Sequence, residues 1–286
     1  MILSAFVILS FITGVFSQTL NIFVSPHPDD WQLFMNPNAY NMLASATQKV
    51  VFLHMTTGDG GTTAQESYYL AREEESMRAI RFMVNTLSGN VGLGNAMSLS
   101  IVTINGHPIR KLVYGNAITY FLRLPDGAYA GTGYSNHNYE SLQNIYTGAV
   151  PTMTTLDAST TYSSLNDLET TLKQIVNLEK TASGTVQFHV ADTDTNINPG
   201  DHPDHIASSR IMQDVASQVG TVTLNLYQEY TTTDANQNVF GNDYLISIAT
   251  WGATVSGLTD KNAANPWESY HNSFIGKQYF RVTQIN

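Results

Sequence analysis

The chain contains no cysteine, so disulfides and thiolate metal sites are closed to it, and any metal ion must be held by histidine and carboxylate. Charge is also scarce, at 13% Asp, Glu, Lys and Arg, and basic residues are the shorter side: 13 Lys and Arg against 23 Asp and Glu, a net charge of -10. That balance repels a polyphosphate backbone unless a basic stripe compensates, and no stripe occurs; a nucleic-acid partner is not expected. The glycine-rich stretch Gly58 to Gly61 lacks the Gly-Lys-Ser/Thr ending of a phosphate-binding loop, which argues against a nucleotide. One apolar run stands out, MILSAFVILSFITGVFS at 1–17, too short to span a bilayer comfortably and ending in a Val-x-Ser pattern. It reads as a secretory signal peptide cleaved near Ser17, which predicts a secreted or periplasmic product without stable membrane insertion. The run carries no Lys or Arg, and an uncleaved anchor or a buried first strand is the alternative.

What is present suits a globular protein: 42% hydrophobic residues, with 12 Phe, 15 Tyr and 3 Trp. The length leaves residues 18–286 as one large domain. Short β-branched runs at 19–25, 49–57, 98–104, 185–191 and 221–230 read as strands. Between them lie helical patterns, starting near Pro37, over 66–87, over 164–181 with Ser164 or Asn166 at its cap, and over 201–219 with Asp201 as cap and Pro203 in the first turn. This alternation predicts an α/β fold, a Rossmann-like and mostly parallel sheet with helices on both faces, the strand at 98–104 being the third of a βαβαβ series. Residues 112–165, rich in Gly, Tyr, Asn and Ser, read as a long loop-rich insertion, within which 112–124 can form a strand. Residues 231–286 give no clear pattern.

Two clusters follow predicted strands, where an open parallel sheet binds its ligands. The first, SPHPDD at 25–30, offers His27, Asp29 and Asp30; the second, HPDH at 202–205, offers His202, Asp204 and His205. A catalytic zinc takes three protein ligands of this type and keeps one position open for water. His27, Asp30 and His205 meet that need, and Asp29 is left beside the ion to take a proton from a water whose pKa the ion lowers to roughly 7. Each tetrapeptide alone also fits an ordinary turn or helix cap.

Together and in this order, SPHPDD and HPDH resemble the zinc-dependent N-acetylglucosaminyl deacetylase family, the PIG-L or LmbE-like proteins, over about residues 19 to 230. The resemblance implies a hydrolase acting on an acetylated amino sugar, with zinc or another divalent ion on His27, Asp30 and His205. It places the general base at Asp29 and the oxyanion-stabilising, proton-donating histidine at His202. A hydrogen-bonding Asp204 would fix a ring orientation. More loosely, Arg72 matches a substrate-contacting arginine and Asp126, in LPDG at 124–127, an acidic substrate-binding stretch. The chain departs from the pattern at Trp31, where the family has Glu, which predicts a more apolar wall at the site, and at Pro26. Tyr129, Tyr134, Tyr139 and Tyr146 can stack on sugar rings or serve as ordinary loop residues. His54, His107, His137, His189 and His271 show no paired spacing and read as structural or surface residues. An amide hydrolase for a non-sugar substrate, or a carbohydrate-binding protein without catalysis, remain the alternatives.

Overall fold

The computed structural model describes residues 18–88 and 97–286; the expected signal segment, 1–17, lies outside the described residues. In chain order the strands are β1 (Thr19–Ser25), β2 (Gln48–Thr56), β3 (Ser98–Ile104), β4 (His107–Tyr114), β5 (Ala117–Leu124), the two-residue β6 (Met153–Thr154) and β7 (Thr161–Tyr162), β8 (Val186–Ala191), β9 (Val222–Gln228) and β10 (Tyr279–Ile285). The helices are α1 (Asp30–Phe34), α2 (Asn38–Leu43), α3 (Tyr68–Ser88), α4 (Leu142–Thr147), α5 (Leu165–Glu179), α6 (Pro203–Val219), α7 (Gly241–Asp260) and α8 (Ser269–Asn272). Among the described residues no helix is long and apolar enough to cross a membrane.

Eight strands form one sheet in the order β10-β9-β8-β1-β2-β5-β4-β3. The five from β9 to β5 run parallel, and the two edges are antiparallel additions. The α/β architecture is therefore as expected, with one correction. Residues 98–104 are not the third parallel strand but the far antiparallel edge, and β5 takes the place beside β2. The reason is local: Asn105 and Gly106 both adopt positive φ, 52° and 84°, the two-residue hairpin geometry that folds β3 straight back onto β4. Within the stretch expected as a loop-rich insertion, 112–124 is strand apart from the turn at Gly115 and Asn116, as that reading allowed, and the irregular part begins at Pro125.

Alternation along β1 divides the core. Leu20, Ile22 and Val24 face α4, α5 and α6 through Ile145, Leu172, Ile211 and Val215. On the other side Phe23 meets α1, α2, α3 and α7 through Trp31, Phe34, Ile80 and Trp251. Helices α3 and α7 approach closely because α7 carries Gly257: a Cβ there would lie 2.6 Å from the Cα of Glu75. The C-terminal segment without a clear sequence pattern thus supplies α7, which covers α3, and β10, which extends the sheet.

Trp31 is fully buried in this second layer, its ring against Phe52 and its Nε1 donating to Ser76 Oγ at 3.1 Å. It points into the core and is not part of the cavity wall, contrary to the expectation of an apolar site wall.

Candidate metal centre

Strand β1 pairs with β2 on one side and β8 on the other, so the chain reverses its direction of travel across the sheet at β1. Crevices form at such a point, beyond the carboxyl ends of the strands. All five parallel strands deliver residues there: β1 the His27–Asp30 turn, β2 Gly58 and Asp59, β5 Asp126, β9 Glu229 and Tyr230, and the loop after β8 the start of α6. They surround a cavity of about 230 Å³ lined by His27, Asp29, Asp30, Arg72, Asp126 and His202 among others.

The two inner imidazole nitrogens lie side by side, each facing a different oxygen of Asp30. His27 Nδ1 and His205 Nε2 are 3.2 Å apart, His205 Nε2 lies 3.3 Å from Asp30 Oδ1, and His27 Nδ1 lies 3.4 Å from Asp30 Oδ2. Ligands at 2.0–2.2 Å from a tetrahedral ion stand roughly 3.3–3.5 Å from each other. The outer ring nitrogens are already occupied. His27 Nε2 meets Asp204 Oδ2 at 3.3 Å; His205 Nδ1 meets Asp201 Oδ1 at 2.9 Å and Glu229 Oε2 at 2.5 Å. With a cation between them, those carboxylates would keep the protons on the outer nitrogens and leave the inner lone pairs for the ion. One proton can bridge only one pair of these atoms, whereas one cation satisfies all three. The electrostatics agree. Burial opposes charge on both imidazoles, but Asp30 with Asp204 carries His27 well above its ordinary pKa, and Asp30 with Glu229 does the same for His205. The carboxylates demand positive charge at this point.

Helix α1 starts at Asp30, whose Oδ2 accepts the His27 backbone N–H at 2.6 Å and closes the turn that sets the first cluster. At α6 the sequence expectation is corrected: the cap is His202, whose Nδ1 accepts the Asp204 N–H at 3.1 Å, while Asp201 turns to His205. With Nδ1 so used, the single proton of His202 sits on Nε2. Burial, with the charges of His27 and His205, pushes this imidazole down to about 2, so it is neutral. Its donor atoms lie within 4.8 Å of those of His27 and His205.

Asp29 faces the cavity with both oxygens held by Arg72, Nη1 to Oδ2 at 3.0 Å and Nη2 to Oδ1 at 2.7 Å. Burial alone would raise its pKa, but the guanidinium outweighs it and holds Asp29 charged. Arg72, expected to touch substrate, lines the cavity but spends its terminal nitrogens on Asp29 and on buried Glu75, 2.9 Å from Nη1. Gly58 makes room for this pair: it has φ +57°, and a Cβ would lie 2.8 Å from Arg72 Nη2. Asp126 also lines the cavity, accepting from Ala128 N at 2.7 Å and Gly60 N at 3.3 Å. Asp204 holds His27 and accepts from Gly127 N at 2.8 Å.

Several contributors were not expected from the sequence. Asp59 is buried and ties β2 to the insertion through Asp126 N at 2.9 Å and His137 Nε2 at 2.9 Å. Asp201 and Glu229 brace His205. The cavity tyrosines are Tyr68, Tyr129, Tyr134, Tyr230 and Tyr270, so Tyr139 and Tyr146 stand outside the lining. His271, read as structural or surface, lines the cavity instead.

The fold and site define an α/β protein with a buried histidine–carboxylate centre at the switch point of its sheet. No protein-family model and no curated protein sequence matches the chain. Among solved structures it is similar to a zinc-inhibited form of teicoplanin deacetylase Orf2, at 11% identity over 86% of this chain and 87% of that one, TM-score 0.42. It is also similar to a deacetylase of the teicoplanin biosynthetic pathway in complex with teicoplanin, at 12% identity over 94% and 100%, TM-score 0.44.

Proposed function

We propose that the protein is a metal-dependent hydrolase that removes N-acetyl groups from amino sugars, and that it belongs to the PIG-L or LmbE-like deacetylases. The observation that carries the metal dependence is the approach of His27 Nδ1 and His205 Nε2 to 3.2 Å, each within 3.4 Å of one oxygen of Asp30, with both imidazoles held by carboxylates from behind. The amino-sugar reading rests on the resemblance of the SPHPDD and HPDH motifs.

His27, Asp30 and His205 would hold the ion; two nitrogens and a carboxylate with room for a fourth ligand suit zinc. When bound, such an ion supplies Lewis acidity, polarising a carbonyl and acidifying water. Asp29, kept charged and oriented by Arg72, takes a proton from the attacking water. His202 turns Nε2–H to the carbonyl oxygen as it gains negative charge, and as a preorganised neutral donor it favours the tetrahedral state over the planar amide. Asp126 offers acceptors for sugar hydroxyls at the rim. If residues 1–17 act as a signal peptide, the enzyme works outside the cytoplasm, where an acetylated glycan is the natural substrate.

The test is acetate release from N-acetylglucosamine, acetylated chito-oligosaccharides and simple N-acetyl amines by wild type and Asp29→Asn, with metal content measured in both. Wild type should prefer sugars, and Asp29→Asn should lose about 10²- to 10⁴-fold in rate while keeping its metal. Turnover confined to simple amides would move the substrate class. Sugar binding without turnover, unchanged in Asp29→Asn, would make the protein a binding module.

A further inference from the structure

Cleavage of an amide C–N bond needs an acid as well as a base, because an amine cannot leave as its anion. The residues considered so far are poorly disposed to supply one. His202 carries a single proton, and its Nδ1 is occupied by the Asp204 N–H. Asp29, paired with Arg72, is already assigned the water proton. The C-terminal segment supplies another group.

Beyond α7 the chain returns to the cavity at α8, where Tyr270, His271 and Phe274 join the lining that includes Asp29 and His202. His271 is fixed on two sides. Its ring lies flat against Trp251, with centroids 5.8 Å apart and planes at 20°, and Trp251 is itself fully buried and anchored by Nε1 to Asn272 Oδ1 at 3.0 Å. Its Nδ1 hydrogen-bonds the Glu268 carboxylate. Glu268 is fixed in turn by the backbone N–H groups of Tyr270 and His271, at 2.8 and 2.9 Å. The result is an imidazole with one nitrogen on a carboxylate, in the wall of the cavity that Asp29 also lines. Glu268 is the N-cap of α8, so its two backbone bonds are those of a helix start; of the three imidazoles in the lining, His27 is assigned to the ion and His202 to the oxyanion, which leaves His271 for the amine.

We propose that His271, oriented by Glu268, delivers the proton that lets the amine leave. This rests on the deacetylase reading above. Water oxygen bonds to the carbonyl carbon while one water proton passes to Asp29. The C–N bond then breaks with its electron pair on nitrogen, which takes the Nε2 proton of the His271 imidazolium, the Nδ1 proton staying on the side of Glu268. Acetic acid and the free amine result; Asp29 gives up its proton and His271 takes one back from solvent, to which the His271 side chain is 31% exposed.

The experiment compares an amide with a substrate whose leaving group needs no proton. In the metal-loaded enzyme, His271→Phe keeps a ring on Trp251 and removes both nitrogens. It should lower kcat on N-acetylglucosamine by about 100-fold while lowering 4-nitrophenyl acetate hydrolysis by far less, and Glu268→Gln should follow with a smaller loss of the same selectivity. Added imidazole should restore amide turnover to His271→Ala. Equal losses on amide and ester together with no rescue, or amide turnover in His271→Phe close to wild type, would overturn the proposal. A wild type that releases no acetate from any amide overturns both this and the deacetylase reading; an active wild type with indifferent variants overturns the dyad alone.

Discussion

His205 Nδ1 lies 2.9 Å from Asp201 Oδ1 and 2.5 Å from Glu229 Oε2, so one imidazole nitrogen meets two buried carboxylates. Burial, with the charges of Asp201 and Asp30, outweighs His205 and pushes Glu229 up to about 8, and neither of its oxygens has another hydrogen-bond partner among the described residues. Such an arrangement persists because it fixes the tautomer and direction of His205, leaving Nε2 for the centre. Glu229→Gln, which keeps the shape and takes away the carboxyl group that faces His205 Nδ1, should weaken divalent-metal affinity by about 10- to 100-fold with the fold intact. Competition against a chromophoric chelator measures this; affinity within twofold of wild type would assign Glu229 a purely structural role.

Gly127 provides a second handle on the same centre from the opposite side. Its position admits no side chain, because a Cβ would lie 2.4 Å from Asp204 Oδ1, and Asp204 is fully buried. Gly127→Ala should push Asp204 off His27, weakening metal binding by about 10-fold or more and costing stability of about 1–3 kcal/mol through overpacking. Isothermal titration of metal and a urea melt read both effects, and an unchanged metal affinity would show that Asp204 does not orient His27.

Much of this was legible because both motifs follow buried strands. The β-branched runs at 19–25 and 185–191 placed them at one sheet edge, and HPDH carried its own helix start in Pro203. Glu229 obeys the same rule, since it follows β9 directly, yet a lone carboxylate at a strand end has no spacing to mark it. His271 was hidden more deeply. It reaches the cavity only through the packing of α7 on α3, a contact set by Gly257 that no local periodicity announces. The edge hairpin was readable, as Asn105-Gly106 is a strong turn signal, but the expected βαβαβ continuity of 98–104 masked it.

Stability should fall in acid because two further histidines are buried in the core. Burial pushes His54 and His189 down to about 3, His54 stacked on Phe121 and His189 on Phe23. In the unfolded chain each binds a proton near pH 6.5, so between about 6.5 and 3 the unfolded state holds the extra proton. The stability from keeping each neutral is full above about pH 6.5 and declines as pH falls, by up to about 1.4 kcal/mol per pH unit for each histidine. His189→Gln and His54→Gln should each flatten the fall in urea-unfolding free energy between pH 6.5 and 4.5. Slopes identical to wild type in both variants would contradict burial as the cause.

The central claim is that His27, Asp30 and His205 share one ion. Metal analysis of purified wild type, His27→Ala and His205→Ala after exhaustive dialysis tests it most directly. The account predicts one divalent ion per wild-type chain and none in either variant, with folding judged by circular dichroism. A folded His205→Ala protein that retains its ion and its acetate-releasing activity, or a wild type that binds no divalent ion, would contradict it.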